Sequence, residues 1–171
     1  MTRPWLPNEI IRTTFDKRGE HRFYLNCTWE QTKKKALFIM LNPSLANQET
    51  CDPTVDKCIH FAKKKNCGSI EIVNLFSLIS PNPNELLSKE VKSHSENINY
   101  ISQSIQNSDF IVAAWGEQGV WFNACYKVLA LVETFDKQLY CLGTNRHGLP
   151  RHPGRLGKNV EIVPYKIFGD S

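Results

Sequence analysis

The chain lacks a long hydrophobic run: no apolar stretch in its 171 residues approaches the roughly 20 residues that a transmembrane helix needs. Its first residues, Met1 to Trp5, lack the apolar stretch of a signal peptide. Internal repeats, linkers and low-complexity tracts are missing too. We therefore expect a single domain over residues 1–171, located in the cytoplasm and without a membrane partner.

Several well-marked catalytic motifs are also absent. The sequence contains no paired-carboxylate site of the glycosidase kind, no Ser-His-Asp triad, no Walker phosphate loop and no Gly-rich dinucleotide turn. These absences argue against the hydrolase, nucleotidase and dehydrogenase classes that such motifs mark. They also give no reason to expect a cofactor.

Cysteine pairs at metal-site spacing are missing, because none of the six cysteines forms a Cys-x-x-Cys pair. Buried free thiols in a reducing compartment explain the six best. A zinc site near Cys58 and His60, with Cys51 and Cys67 close in sequence, is conceivable. Its spacing matches no usual zinc pattern, so we expect no metal.

What the chain does have is a local excess of positive charge. The net charge is only +4, but residues 146–158, here called the basic loop, hold three arginines, one lysine and no carboxylate. Such a loop suggests an anionic partner, phosphate above all. The alternative is an ordinary solvated loop.

The hydrophobic pattern predicts alternating strands and helices. Residues 22–29 alternate like a half-buried antiparallel strand near an edge, and a further β segment is possible over residues 10–15. Short apolar runs predict parallel strands over residues 35–41, 69–75, 109–114 and 138–142, and a last short strand is possible over 159–164. Helices are predicted after Asp52 and over residues 96–106 and 120–131. This order predicts an α/β three-layer sandwich with a central, mostly parallel sheet and an antiparallel N-terminal edge strand.

Four polar segments follow the predicted parallel strands. In chain order they are Leu41-Asn42-Pro43-Ser44, Asn74-Leu75-Phe76-Ser77, Ala114-Trp115-Gly116 and Arg151-His152-Pro153-Gly154-Arg155. In open α/β sheets, ligands bind outside the carboxyl ends of the strands. The sequence therefore predicts a site where these segments meet.

Each of these segments has a functional and a structural interpretation. Asn42 has an amide that could orient a water or a polar ligand, or form an Asx turn. Asn74 could bind an amide-like edge such as that of a pyrimidine, or cap its loop. Trp115 and Gly116 could let backbone approach a ligand, or be a core aromatic and a turn residue. His152 could donate to a developing anion or bind phosphate, or be inert.

Five motifs together resemble a bacterial and phage family known as domain of unknown function 1643, over about residues 20–165. The motifs are Leu41-Asn42-Pro43-Ser44, Asp52-Pro53-Thr54, Asn74-Leu75-Phe76, Ala114-Trp115-Gly116 and Pro150-Arg151-His152-Pro153. This resemblance brings no settled activity with it.

The order of the segments also resembles, more distantly, the uracil-DNA glycosylase superfamily. There an Asn-Pro or Asp-Pro segment, a strand ending in Asn, a strand ending near Trp-Gly or Leu-Gly and a His-Pro-Ser loop follow one another. The counterparts here are Asn42-Pro43, Asn74, Trp115-Gly116 and His152-Pro153. The resemblance implies a uracil-DNA glycosylase-like fold and hydrolysis of the N-glycosidic bond of a uracil-like or modified base.

That resemblance also implies residue roles. Asn42 would position the attacking water and His152 would stabilise the leaving base, which makes both catalytic. Asn74 would bind the base edge, and Leu156 would be the wedge when a base is flipped out of a duplex. The other predicted substrate-binding residues are Pro43, Ser44, Phe76, Trp115 and Gly116, and nucleic acid, DNA in preference, would be bound by Arg146, Arg151, Arg155, Leu156 and Lys158.

Two departures keep other functions open. The first motif has no aspartate, and Gly154 stands where the superfamily has serine. They favour a non-catalytic module that binds a nucleotide or nucleic acid in the same pocket. A third interpretation is a phage–host conflict factor on a borrowed α/β scaffold, since fold does not fix function.

Overall fold

The computed structural model describes residues 1–90 and 92–166. Within these residues there are nine strands: β1 (Arg3–Pro4), β2 (Ile10–Phe15), β3 (Arg22–Thr28), β4 (Lys35–Met40), β5 (Thr50–Cys51), β6 (Ser69–Asn74), β7 (Phe110–Ala113), β8 (Leu139–Cys141) and β9 (Val163–Pro164). The same residues form four α-helices: α1 (Pro53–Lys64), α2 (Glu85–Ser88), α3 (Asn97–Gln106) and α4 (Ala124–Thr134).

Seven of the described strands form one mixed sheet in the order β2-β3-β6-β4-β7-β8-β9. Strands β6, β4, β7 and β8 run parallel to one another, whereas β2, β3 and β9 join by antiparallel pairing. The prediction of an α/β fold with an antiparallel N-terminal edge strand is confirmed. The prediction of a mostly parallel sheet is too strong, because half of the neighbouring strand pairs in this seven-stranded sheet are antiparallel.

Helices cover both faces of this sheet, which explains the continuous apolar runs of its central strands. In β4, Phe38 and Met40 pack into the core that α1 closes. Leu37 and Ile39 point to the other face and pack into the core that contains residues of α2, α3 and α4. The period-two alternation of one buried strand therefore serves two cores.

Helix α1 begins where its sequence predicts. The Asp52 side chain accepts a hydrogen bond from the Val55 backbone N–H at 2.8 Å, and Pro53 occupies the first helical position. Helix α4 begins later than predicted. Trp121 has a non-helical backbone and Phe122 and Asn123 have positive φ values of 53° and 57°, so the α-helix begins only at Ala124.

The strand order contains a topological switch point. From β4 the chain passes through α1 to β6, and from β6 it returns through α2 and α3 to β7, on the other side of β4. The connections at the carboxyl ends of β4 and β7 therefore lead in opposite directions. This divergence opens the crevice in which doubly wound sheets bind ligands.

Two further expectations concern the cysteines and the membrane. All six cysteines are buried and unpaired, as predicted: Cys27, Cys51, Cys58, Cys67, Cys125 and Cys141. Over residues 1–90 and 92–166, no helix has the length and apolar character that crossing a bilayer requires.

Candidate functional site

A cavity of about 450 Å³ lies at the switch point, at the carboxyl ends of β4 and β7. Its volume falls within the range of small-molecule sites. Three of the four predicted segments contribute to its lining. The predicted site residues that line it are Asn42, Ser44, Trp115, Gly116, Arg151, His152, Arg155 and Leu156.

The amide of Asn42 holds the loop that faces it. Its Nδ2 donates to the backbone oxygens of Ser80 at 2.9 Å, Pro43 at 3.1 Å and Leu78 at 3.4 Å. The amide orientation is therefore fixed by Nδ2, and Oδ1 is left as an acceptor. A carboxylate could not replace this amide, because it has no hydrogen to give to the three carbonyls. This accounts for the asparagine in the first motif.

His152 presents a donor to the same cavity. Its Nδ1 accepts a hydrogen bond from the Gly154 backbone N–H at 3.1 Å. Burial lowers the pKa of His152 below its ordinary 6.5, against an opposing effect of Asp52. The ring is therefore neutral at pH 7, and because Nδ1 is the acceptor, the proton is on Nε2.

At two glycines a side chain would crowd His152. Gly116 has a φ of +77°, and a Cβ there would lie 3.3 Å from the Cβ of His152. A Cβ on Gly154 would lie 3.0 Å from Nδ1 of the ring. Gly154, the residue after His152-Pro153, therefore leaves room for the imidazole.

Arg22 is a cavity residue that the sequence analysis missed. It opens β3, lines the cavity and is only 1% exposed. Its Nη1 donates to the Ala46 backbone oxygen at 2.7 Å, whereas Nε has no partner within the described residues. Burial lowers the pKa of Arg22 to about 10, with Asp52 opposing, so the guanidinium is charged at neutral pH. The sequence offers one sign of this buried role: Arg22 is the first residue of a strand whose apolar residues alternate.

Asn74 ends β6 at the predicted edge of the sheet, but it does not line the cavity. It is fully buried, and both polar atoms of its amide lack a partner in the described part of the chain. Its strand, β6, lies between β3 and β4, which carry the cavity residues Arg22 and Met40. Asn74 pairs in register with Met40. Two buried polar side chains with free hydrogen-bonding groups thus lie on neighbouring strands.

Two predicted residues do not fit the roles expected of them. Phe76 lines a second cavity of about 510 Å³, where its ring centroid lies 6.1 Å from that of Phe122. It therefore does not stack on a ligand in the first cavity. Leu156 is 4% exposed and packs in the core with α1. A buried leucine does not project as a wedge, so this assignment is corrected.

Trp115 and Pro43 are buried residues of two of the predicted segments. Trp115 is 1% exposed and packs in the core on the α4 side, where a Cβ on Gly119 would overlap its ring. This matches its interpretation as a core aromatic. Pro43 is buried, and its carbonyl oxygen accepts from the Ser80 backbone N–H at 2.9 Å.

The basic loop surrounds one side of the cavity mouth. Arg151 and Arg155 are exposed and line the cavity, whereas Arg146 and Lys158 are exposed outside it. Over residues 1–90 and 92–166, none of these four cations takes part in an ion pair. Their charge is therefore open to an anionic partner.

Asp52 is the buried carboxylate of the site. One of its oxygens caps α1 through Val55, and the other accepts from the Ala46 backbone N–H at 3.2 Å. The predicted capping role is confirmed, and the residue also lines the cavity. Nowhere in residues 1–90 and 92–166 do three or more His, Cys, Asp or Glu side chains form a group that could hold a metal ion.

The sequence model of one family, described as "Protein of unknown function (DUF1643)", matches residues 22–154. The match spans more than half of the chain, so the protein belongs to this family, and the resemblance seen in the sequence is confirmed. No curated protein and no solved structure matches the chain. The matched region runs from Arg22 to Gly154 and so includes most of the cavity.

Proposed function

For this member of a family of unknown function, we propose a DNA glycosylase type of activity: hydrolysis of the N-glycosidic bond of a uracil-like or modified base. One observation carries the proposal. Asn42, whose Nδ2 is bound to the loop, and His152, whose Nδ1 is bound to Gly154, line the same cavity at the switch point of the sheet, and each has one remaining polar atom, the acceptor Oδ1 and the donor Nε2–H. One group suits a water and the other suits the oxygen of a leaving base.

We further propose that the fold is a three-layer sandwich like that of uracil-DNA glycosylases. Taken in chain order, its four parallel strands lie in the sheet as second, first, third and fourth. Helices on both faces and polar segments at the strand ends support the same assignment.

The chemistry follows from the two groups. Asn42 Oδ1 accepts a hydrogen bond from a water and holds it near C1′ of the sugar. The water oxygen bonds to C1′, and the C1′–N bond breaks with its electron pair on the base. His152 Nε2–H donates to the base oxygen on which that charge collects. The proton released by the water neutralises the free base. Asn42 orients the water without taking its proton, so we expect slow turnover.

The basic loop supports DNA as the substrate. Arg151 and Arg155 stand at the rim, where phosphates of a strand would pass when one base enters the cavity. Because Leu156 is buried, it does not help to extrude a base from a duplex. We therefore expect single-stranded DNA to be the better substrate.

Base release tests the proposal. Oligonucleotides that each carry one uracil or modified base are incubated with the protein, and abasic sites are revealed by alkaline cleavage. We expect cleavage of at least one single-stranded substrate, and its loss in Asn42→Ala and His152→Ala. If no base is released anywhere in the panel, the glycosylase proposal is wrong.

The second candidate is a non-catalytic module that binds a nucleotide or nucleic acid. The amide at Asn42 favours it, because this side chain cannot act as a general base at neutral pH. Salt-sensitive binding of DNA by the wild-type protein without release of any base would select this function.

A further inference from the structure

The guanidinium of Arg22 has an edge that the protein does not use. Nη1 is bound to the Ala46 carbonyl, which lies on the loop after the first motif. Nε lies with Nη2 on the opposite edge of the guanidinium, and this Nε is buried without a partner in the described chain. Buried polar groups almost always have partners, so an acceptor that is not part of the chain, a water or a ligand atom, is indicated for this edge.

No carboxylate neutralises this cation directly. None of the ion pairs among residues 1–90 and 92–166 includes Arg22. Asp52 is near enough to affect Arg22 electrostatically, but both of its oxygens already accept backbone N–H groups. A purely structural role explains the bond to Ala46 and leaves the other edge without a reason.

The arginines of the cavity lie at two depths. Arg151 and Arg155 are exposed at the rim, whereas Arg22 is buried in the wall formed by β3. A nucleotide that enters base first leaves its phosphates at the rim and brings its base to Arg22.

We propose that Arg22 determines the base specificity of the cavity by donating to an exocyclic carbonyl oxygen of a base that departs as an anion. This inference rests on the proposed function. When the C1′–N bond breaks, its electron pair is shared between the base nitrogen and that oxygen, while the water supplies hydroxide to C1′ and a proton to the base. The preferred substrates are oxo-bases with an acidic N–H group, and cationic alkylated bases are rejected.

Binding of free bases tests Arg22 apart from catalysis. Uracil and the more acidic 5-fluorouracil are titrated by calorimetry into the wild-type protein from pH 7 to pH 9.5. We expect 5-fluorouracil to bind about tenfold tighter once it ionises, as a hydrogen bond to a charged group implies. Arg22→Met should abolish this gain. Arg12→Met removes an exposed arginine from neighbouring β2, outside the cavity, and should retain it.

The outcomes separate this inference from the proposed function. Equal or weaker binding of the ionised base by the wild type overturns the role of Arg22, and so does failure of both bases to bind. This wild-type comparison stands even if Arg22→Met does not fold. Inorganic phosphate that displaces uracil and binds the wild type and Arg12→Met but not Arg22→Met would place a phosphate at Arg22 and overturn it too. Arg22-dependent binding without base release from DNA supports this inference while the glycosylase proposal fails.

Discussion

Two cavities among the described residues have similar volumes and different linings. The first, of about 450 Å³, has the amide of Asn42, the imidazole of His152 and the guanidinium of Arg22 in its lining. The second, of about 510 Å³, lies against Phe76 and Phe122 and also has the charged side chains of Lys92 and Lys127 in its lining. The larger space is therefore not the better site. We regard the first cavity as the site because polar groups without a second partner line it and because it lies at the switch point of the sheet.

The largest effect is expected from removing the donor of the first cavity. His152→Ala should lower the rate of base release by about 100- to 1,000-fold, as loss of a donor to a developing oxyanion does. Its free energy of unfolding should change little, because the ring is only partly buried. His147→Ala, an exposed histidine of the same basic loop, is the matched control. Equal losses in both variants would remove the distinction between the two histidines.

The role of the Asn42 amide in holding the loop is tested by Asn42→Asp. The carboxylate would face three backbone carbonyls that now receive hydrogen bonds, so we expect the free energy of unfolding to fall by about 2 to 3 kcal/mol. Asn42→Ala removes the donor without adding charge and should destabilise less. Chemical denaturation measures both variants. If Asn42→Asp is as stable as the wild type, the amide is not needed to hold the loop.

A smaller loss is expected from crowding the imidazole. Gly154→Ala places a Cβ 3.0 Å from Nδ1 of His152 and should shift the ring, with a loss of about tenfold in base release. Gly157→Ala is the control, because a Cβ there meets no atom within 4 Å. Similar rates for Gly154→Ala and the wild type would show that the position of the ring is not critical.

The pH dependence should reflect the lowered pKa of His152. The neutral ring is the donor that the site uses, so base release should rise with pH through that pKa, below 6.5, and stay level at neutral pH. The unfolded chain binds a proton near 6.5 while the folded chain does not. Stability should therefore fall as the pH drops from 6.5 towards the lowered pKa. An activity that rises on acidification would require a protonated ring instead.

The smallest functional effect is expected in the second cavity. Phe122 is half exposed there, and the Nζ of Lys92 lies 4.1 Å from its ring centroid. Phe122→Ala should leave base release within about twofold of the wild type and change the free energy of unfolding by roughly 1 kcal/mol. A large loss of base release in this variant would mean that the two cavities act together.

The sequence predicted the central fold because buried parallel strands are short, continuous apolar runs. It predicted α1 from the Asp52-Pro53 start and placed the start of α4 too early. The left-handed backbone at Phe122 and Asn123 interrupts an apolar pattern that reads as one helix. Periodicity reports which residues are apolar and says little about where the backbone turns.

The site was predictable only where the strand-end rule applies. Asn42 and His152 follow parallel strands, so the rule placed them at the correct edge. The rule did not identify Arg22, because β3 runs antiparallel to β6. The first residue of β3, rather than its last, therefore lies at that edge. Phe76 follows Asn74 by two residues and already packs into the other core. The direction of a strand and the face of the sheet on which a residue lies depend on the tertiary structure, so they cannot be predicted from one segment of sequence.

The central claim is that Asn42 and His152 act together on a nucleobase in the first cavity. The most direct measurement is the amount of free uracil, by mass spectrometry, released from uracil-containing single-stranded DNA under excess protein, comparing the wild type with the Asn42→Ala/His152→Ala double variant. The account predicts release by the wild type and none by the double variant, with both chains folded. Equal release by the two proteins, or DNA binding by the wild type with no release, would contradict it.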